Sequence, residues 1–215
     1  MKRSFLALSV CIVLAVAVIL APGRPVQAGP LPAGSEAKGL TVPVLSEVDD
    51  STESNFQLMA DYCVNKGGEV DTRIPYFNTN DDNQKNWLRL VGKRTFCKFT
   101  SQADGSRIHV LLTTLYSKAP SIAALAYYAK VPFGGSCNGN PASCYCSQLG
   151  GTDLFGGINA NGGGWVQLSD PVDTVLEACI FPDMSTIDSW GLTYHQANII
   201  RGKNLNGVLR FKNPY

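Results

Sequence analysis

The chain has 215 residues and a formal net charge of +1 at pH 7, and charged residues make up only 16% of it. Three of its 18 basic residues and none of its 17 acidic residues fall within residues 1–28, so the remainder carries a net charge of −2. A near-neutral chain offers no electrostatic basis for binding nucleic acid or anionic lipid. We therefore expect no nucleic-acid partner.

Residues 1–28 have the pattern of an export signal peptide. Lys2 and Arg3 precede an uncharged apolar run over residues 5–21, and a small-x-small triplet ends at Ala28. The run just reaches about 17 residues, the lower limit for a membrane-spanning helix, so an uncleaved N-terminal anchor is the alternative. We expect an exported protein, periplasmic or secreted, with no other stable membrane insertion.

Residues 29–50 mix Pro, Gly, Ser and acidic residues with little apolar patterning, which predicts a flexible arm. Beyond this arm, one pattern occurs twice: residues 62–68 read YCVNKGG and residues 145–151 read YCSQLGG. A helix is predicted before each glycine pair. In the first copy apolar residues recur at helical spacing, in the second Pro141 suits the first turn, and in both the glycines end the helix.

The match between the two copies continues into predicted strands. The segments WLRL at residues 87–90 and WVQL at residues 165–168 both alternate apolar and polar residues, which is typical of a half-buried strand. Cys97 and Cys179 each lie in a second short segment of strand character. Each copy therefore predicts a helix followed by two strands.

The last element of each copy is matched as well. Residues 104–111 (DGSRIHVL) correspond to residues 183–190 (DMSTIDSW), and both predict a helix, although β-branched residues in the first copy also allow a strand. A further helix is predicted at residues 121–130. The predicted fold is α+β, with two tandem disulfide-stabilised helix–strand–strand–helix units at residues 51–133 and 134–215.

Six cysteines follow the export signal, and an even number in an exported chain indicates three disulfides. The count alone permits fifteen pairings. The repeat selects among them, because one cysteine of each copy ends the first helix and another lies in the second strand. Closing either of these two long loops would stabilise its unit by about 3–4 kcal/mol. The predicted bridges are Cys63–Cys97, Cys146–Cys179 and, in a short Gly-Pro segment, Cys137–Cys144.

A zinc site is the weaker alternative for these cysteines. Cys144 and Cys146 form a C-x-C pair, and no C-x-x-C pair or spaced histidine pair accompanies them, since His109 and His195 are the only histidines. The acidic, Asn-rich loop at residues 78–83 lacks the closing glutamate of a calcium loop. We expect no metal and no other cofactor.

The second predicted unit resembles the DUF333 family of small bacterial domains. Residues 140–151 (NPASCYCSQLGG) and residues 179–190 (CIFPDMSTIDSW) carry the resemblance, which extends with gaps over residues 140–198 and more faintly over residues 51–117. Where members commonly have a further cysteine, this chain has Ile187. Members are often periplasmic or lipoproteins, and many bear the label hemolysin. The resemblance implies an exported bacterial domain and supplies no catalytic residues.

The sequence contains no recognisable catalytic constellation. There is no G-x-S-x-G motif, all six cysteines are assigned to disulfides, and His109 and His195 are interpreted as structural. Trp87 and Trp165 are candidate residues of a binding surface, with core or edge packing as the alternative. We therefore expect a non-catalytic exported module that binds a protein or an envelope glycan. The alternatives are a secreted hydrolase of unfamiliar type and a peptidase inhibitor that presents the Cys137–Cys144 loop.

Overall fold

The computed structural model describes residues 50–153 and 162–215. The predicted signal peptide and flexible arm lie outside the described residues, as does the middle of the glycine-rich segment that precedes Trp165. Among the described residues, no helix is long and apolar enough to cross a membrane. The described residues contain both helices and strands, so the predicted α+β class is confirmed.

The described part of the chain contains five α-helices and eight strands, and each half has four strands where two were predicted. The helices are α1 (Asp50–Asn65), α2 (Leu112–Tyr116), α3 (Ile122–Ala129), α4 (Pro141–Gln148) and α5 (Ser189–Gln196). The strands of the first half are β1 (Glu69–Phe77), β2 (Leu88–Arg89), β3 (Arg94–Thr100) and β4 (Arg107–Leu111). The strands of the second half are β5 (Gly163–Val166), β6 (Val175–Leu176), β7 (Ala178–Ile180) and β8 (Thr186–Asp188).

The described strands form one sheet in the order β6-β5-β1-β3-β4-β8-β7, and β2 pairs with β1. All of these pairings are antiparallel. Residues 69–73 of β1 pair with β3, and residues 74–77 pair with β5 on the opposite edge. Because β5 follows residue 134 in the chain, the two predicted units share a single sheet.

Strand β1 was not predicted from the sequence, and its buried positions explain why. Asp71 and Arg73 are 3% and 0% exposed, so charged residues stand where an apolar residue is expected in a half-buried strand.

Two other local predictions were wrong. Residues 186–188, in a segment predicted to be helical, form strand β8, and the half-buried strand predicted at residues 87–90 is reduced to the two exposed residues of β2. Other local patterns were sufficient. The helix predicted at residues 121–130 is α3, capped by the Ser121 hydroxyl, which accepts from Ala124 N. Residues 107–116 form a strand followed by a short helix, which combines the two alternatives left open.

The main apolar core lies between one face of the sheet and the helices. Cys97 and Val110 pair across β3 and β4 and face this core, together with Leu115 of α2 and Tyr127 of α3. Neighbouring residues of a strand point to opposite faces, so the other face of the sheet carries a second, smaller apolar cluster. Its buried members are Phe96, Trp165, Leu176 and Ala178.

All three predicted disulfides are present: Cys63–Cys97, Cys137–Cys144 and Cys146–Cys179. Two of them join a helix to a strand in corners of closely similar geometry. Gly67 and Gly150 end their helices with φ angles of +80° and +84°, which glycine adopts readily.

The second glycine of each pair makes room for the disulfide. A Cβ at Gly68 would lie 2.9 Å from Cys63 Sγ and closer still to the partner sulfur. A Cβ at Gly151 would lie 2.9 Å from Cys146 Sγ and likewise closer to its partner. The Tyr-Cys-x-x-x-Gly-Gly pattern is therefore explained by one requirement, the close approach of backbone and sulfur at both corners.

The sheet corrects one detail of the sequence match, which equates Ile108 with Ile187. Val110 pairs with Cys97, and Ile187 pairs with Cys179, so the strand position equivalent to Ile187 is occupied by Val110. These two residues also pair with each other between β4 and β8. The hairpin between β3 and β4 is longer than the one between β7 and β8, which accounts for the shift.

Candidate functional site

A polar cleft lies beside the Cys137–Cys144 loop. It has a volume of about 900 Å³ and is bounded by this loop, by residues 79–80, by the start of β5 and by the strand end at Glu177. Its lining is rich in amides and hydroxyls. The polar side chains that line it include those of Asn80, Asn138, Asn140, Ser143, Ser147 and Glu177.

Asn140, which lines the cleft, connects the start of α4 to Glu177. Its Oδ1 accepts a hydrogen bond from Ala142 N (2.9 Å) and caps α4, where Pro141 occupies the first turn. Its Nδ2 donates to both carboxylate oxygens of Glu177, each at 2.7 Å. The cap of the helix thereby fixes the position of an acidic side chain at the end of β6.

Glu177 and Asp153 are the acidic groups of this region, and both are more difficult to ionise than usual. Burial raises the pKa of Asp153, and the nearby hydroxyls of Ser189 and Ser143 only partly offset it. Burial also raises the pKa of Glu177, with Asn140 acting in the opposite direction and the charges of Asp153 and Asp188 adding to the rise. Trp190 lowers the pKa of Glu177 to a smaller extent.

Several polar atoms at this site lack a hydrogen-bond partner of acceptable geometry among the described residues. Asp153 is 3% exposed and Ser143 is 8% exposed. Both carboxylate oxygens of Asp153 and the hydroxyl oxygens of Ser143 and Ser189 are in this condition. The two hydroxyls lie close enough to Asp153 to lower its pKa, so the three groups contact one another. Of the three, only Ser143 lines the cleft, where a ligand would complete its hydrogen bonding.

The second polar cluster lies on the sheet face opposite the helices and is held together by ion pairs. Arg73, which has no exposed surface, donates from Nε to Asp71 Oδ2 (2.6 Å) and from Nη2 to Asp170 Oδ2 (3.2 Å). Arg107 Nη1 donates to Asp170 Oδ1 at 2.8 Å. Although burial acts to raise the pKa of Asp170, hydrogen bonds from the Asp173 amide, Arg107 and the Val172 amide hold it well below its usual range. These contacts fasten the segment between β5 and β6 onto the sheet.

His109 belongs to the same cluster. Its Nε2 lies 3.3 Å from Asp71 Oδ2, and its Nδ1 lies 3.5 Å from Asp188 Oδ2. Burial would lower the pKa of His109, but interactions with Asp188 and Asp71 outweigh it and raise the pKa, against the charge of Arg73. The imidazole is fully buried between two carboxylates, so it has a structural role and is not a base available to a substrate.

His195 is neutral and equally inaccessible. Its ring stacks on Tyr127 with a centroid separation of 3.7 Å. Burial lowers the pKa of His195 to about 4, with a further contribution from the charge of Lys130. Both histidines therefore have the structural roles that the sequence indicated.

The two candidate tryptophans, Trp87 and Trp165, have different environments, and neither is among the described residues that line the cleft. Trp165 is only 6% exposed and packs against Phe96, so it occupies the core position that was the alternative to surface presentation. Trp87 is half-buried, and its Nε1 donates to Asp81 O (2.8 Å), which steadies the Asn-rich loop beside the cleft. The sequence thus pointed to two tryptophans and missed the acidic group beside Ser143.

Metal binding gains no support from the described residues. No group of three or more His, Cys, Asp or Glu side chains there is arranged to hold a metal ion. Asp81 instead accepts hydrogen bonds from Asn83 N and Asn86 Nδ2, both at 2.8 Å, and closes its own loop.

Comparison with known proteins adds no relative. The chain matches no family model, no curated protein and no solved structure. The resemblance of the second half to the DUF333 family therefore stays a prediction. The fold and the site define a disulfide-bonded α+β protein whose described residues form a polar cleft of ligand-binding size.

Proposed function

We propose that the protein is an exported, non-catalytic binding protein that holds a polyhydroxylated component of the cell envelope, a glycan, in the cleft beside the Cys137–Cys144 loop. The observation that carries this proposal is the lining of the cleft. Its volume of about 900 Å³ falls in the range of small-ligand sites. Amide and hydroxyl side chains both donate and accept hydrogen bonds, as the hydroxyl groups of a sugar do.

Export is supported by the cysteine chemistry and by the N-terminal pattern. Disulfides persist in oxidising compartments such as the periplasm and the extracellular space, and all six cysteines that follow the signal pattern are bonded. We propose that residues 1–28 direct the chain to such a compartment and that an envelope component is accordingly the ligand within reach.

We also propose that the chain arose from two copies of one helix–strand–strand–helix unit. The two disulfide corners support this origin, since each joins the end of a helix to a strand across a glycine without room for a side chain. The antiparallel pairing of Val110 with Ile187, residues at equivalent positions, supports it further. The cleft then lies mainly in the second copy, with residues 79–80 of the first copy at its edge.

The proposal is tested by blocking the cleft with one side chain. Ser147 is exposed and lines the cleft, whereas Ser54 is an exposed serine of α1 outside it. We expect soluble envelope glycan fragments to shift the amide NMR signals of Asn138 and Asn140 in the unmodified protein and in Ser54→Trp, and to have no effect on Ser147→Trp. Equal binding by both tryptophan variants, or no binding by the unmodified protein, would overturn the proposal.

A secreted hydrolase is the second candidate, and one observation favours it. Asp153 and Glu177 are neighbouring carboxyl groups whose pKa values are both raised, as in general acids of glycan-cleaving enzymes. Incubating the protein with the same glycan fragments and analysing the products by mass spectrometry decides between the two. Cleavage that is lost in Glu177→Gln would establish the hydrolase, whereas fragments recovered intact would leave binding alone.

A further inference from the structure

The cleft has one acidic lining residue, Glu177, and none of its described lining residues supplies a positive charge. No lysine, arginine or histidine is among the described residues that line it. Of the nearby acids, Asp188 has His109 within 3.5 Å, but Asp153 and Glu177 have no ion-pair partner among the described residues. A buried carboxylate without a partner costs several kcal/mol, so such groups are paired in nearly all folded proteins.

The unpaired atoms are also almost all acceptors. The carboxylate of Glu177 accepts from Asn140 Nδ2 at both oxygens and also interacts with the Trp190 side chain, and its remaining lone pairs are acceptors. The Ser143 hydroxyl lines the cleft, is more than nine-tenths buried and has no partner of acceptable geometry. A hydroxyl accepts and donates at the same time, so Ser143 can accept from a ligand while it donates to the Asp153 carboxylate behind it.

A group that satisfies this arrangement must donate hydrogen bonds and carry positive charge. A primary ammonium group has three donors, no acceptor and one positive charge. A neutral hydroxyl would leave the charge unbalanced, and an anion would be repelled. A metal ion is disfavoured because the described residues contain no set of three His, Cys, Asp or Glu ligands.

We infer that the cleft is a receptor for a primary ammonium group, which Glu177 and Ser143 contact directly and whose charge Asp153 helps to balance. This inference rests on the proposed function and makes it more specific, because the envelope glycan would then carry free amino groups on its sugars. A lysine side chain offers the same ammonium chemistry, so the test must distinguish the two sources.

The experiment uses matched ligands that differ only in acetylation. Binding of a glucosamine oligomer and of the N-acetylated oligomer of the same length is measured by calorimetry on the protein with its disulfides intact. A short lysine peptide and its acetyl-lysine counterpart form the second pair. We expect the glucosamine oligomer to bind roughly tenfold or more tightly than the acetylated oligomer.

Two isosteric variants assign the preference to the site. Asp153→Asn should reduce the preference for the free amine, whereas Asp104→Asn, at an exposed acid in the β3–β4 hairpin, should leave it unchanged. Asp153→Asn should also raise the midpoint of thermal unfolding without ligand, because it removes an unbalanced buried charge. This second readout shows that the variant is folded.

Each outcome bears on one proposal or the other. Equal binding of both oligomers would overturn the ammonium site and leave glycan binding intact. Binding of the lysine peptide alone, lost on acetylation, would support the ammonium site and overturn the glycan as ligand. Binding of none of the four ligands would overturn both.

Discussion

The two halves of the chain build the same disulfide corner and then diverge. After Gly68 the first half continues into the nine-residue strand β1. After Gly151 the second half makes a single bridge between Thr152 and Ile180. The Tyr-Cys-x-x-x-Gly-Gly pattern thus accompanies the same corner in both halves, whereas the residues that follow it determine whether the chain continues into a long strand.

The turn between β3 and β4 and the turn between β7 and β8 also share a geometry but make different contacts. Ser106 donates from N and Oγ to Asp104 Oδ1, and Ser185 does the same to Asp183 Oδ1. In the first turn Ser106 Oγ also accepts from Gly202 N (3.0 Å), near the end of the chain. In the second turn Asp183 Oδ2 also accepts from Ile122 N (2.8 Å), and so it caps α3 of the other half. The turn at Asp183 therefore also contacts the first half of the chain.

Removing the disulfides tests whether the two corners are energetically equivalent. The two corner disulfides join cysteines separated by 34 and 33 residues in the sequence. The variants Cys63→Ala/Cys97→Ala and Cys146→Ala/Cys179→Ala remove these bridges, and each should lower the free energy of unfolding by about 3–4 kcal/mol. The Cys137→Ala/Cys144→Ala variant, at a separation of 7, should lose about 2–3 kcal/mol. Urea unfolding measures all three. A larger loss for the short loop than for either corner would contradict the comparison.

The two buried histidines, one in each half, should give opposite pH dependences. The folded-state pKa of His195 is lowered to about 4, so its contribution is complete above the unfolded value near 6.5 and is lost as pH falls. The loss should approach about 3 kcal/mol by pH 4. The pKa of His109 is raised, so its contribution is complete below 6.5 and is lost as pH rises through the folded value.

Substitution separates these two effects. His195→Phe keeps an aromatic ring against Tyr127 and should flatten the acid limb of the stability profile between pH 4 and 6.5. His109→Gln removes the cation between Asp71 and Asp188 and should flatten the alkaline limb. Chemical denaturation across this pH range is the measurement. An unchanged acid limb in His195→Phe would show that other groups control acid unfolding.

The smallest expected effect concerns the glycines behind the disulfides. Gly68→Ala and Gly151→Ala place a Cβ against two sulfur atoms and should each cost about 1–3 kcal/mol, by similar amounts. Gly134→Ala is the matched control, because nothing lies within 4 Å of the added Cβ. Thermal unfolding compares the three. If only one corner glycine is sensitive, the corners differ more than their geometry indicates.

The sequence predicted what depends on local pattern. The α+β class, the three disulfides, the left-handed helix end at Gly67 and the helix capped by Ser121 were all accessible, because spacing and turn chemistry fix them within a few residues. The pairing of β1 with β5 was not accessible. Alternation indicates that a segment is a strand, but it does not identify the partner strand, and the charged Asp71 and Arg73 concealed the alternation itself.

The candidate site was the least predictable part of the molecule. Ser143 lies on a helix, Asp153 follows a glycine pair and Glu177 stands between two short strands, so no motif joins them. Only the start of a helix at Asn140 and Pro141 could be predicted from the sequence. This pattern predicts that Asn140 caps the helix, but it does not predict that Asn140 also donates hydrogen bonds to Glu177. The tryptophans were conspicuous in the sequence, but their aromatic surface serves packing and loop support.

The double pairing of β1 has a consequence for the timing of folding. Residues 74–77 complete their hydrogen bonds only with β5, from far along the chain, so the contact order of the sheet is high and its final step should be slow. A polypeptide that crosses a membrane N-terminus first would display this unpaired edge until residue 166 emerges. During that interval the newly delivered chain is vulnerable to association with its neighbours, which makes a holding chaperone in the receiving compartment advantageous.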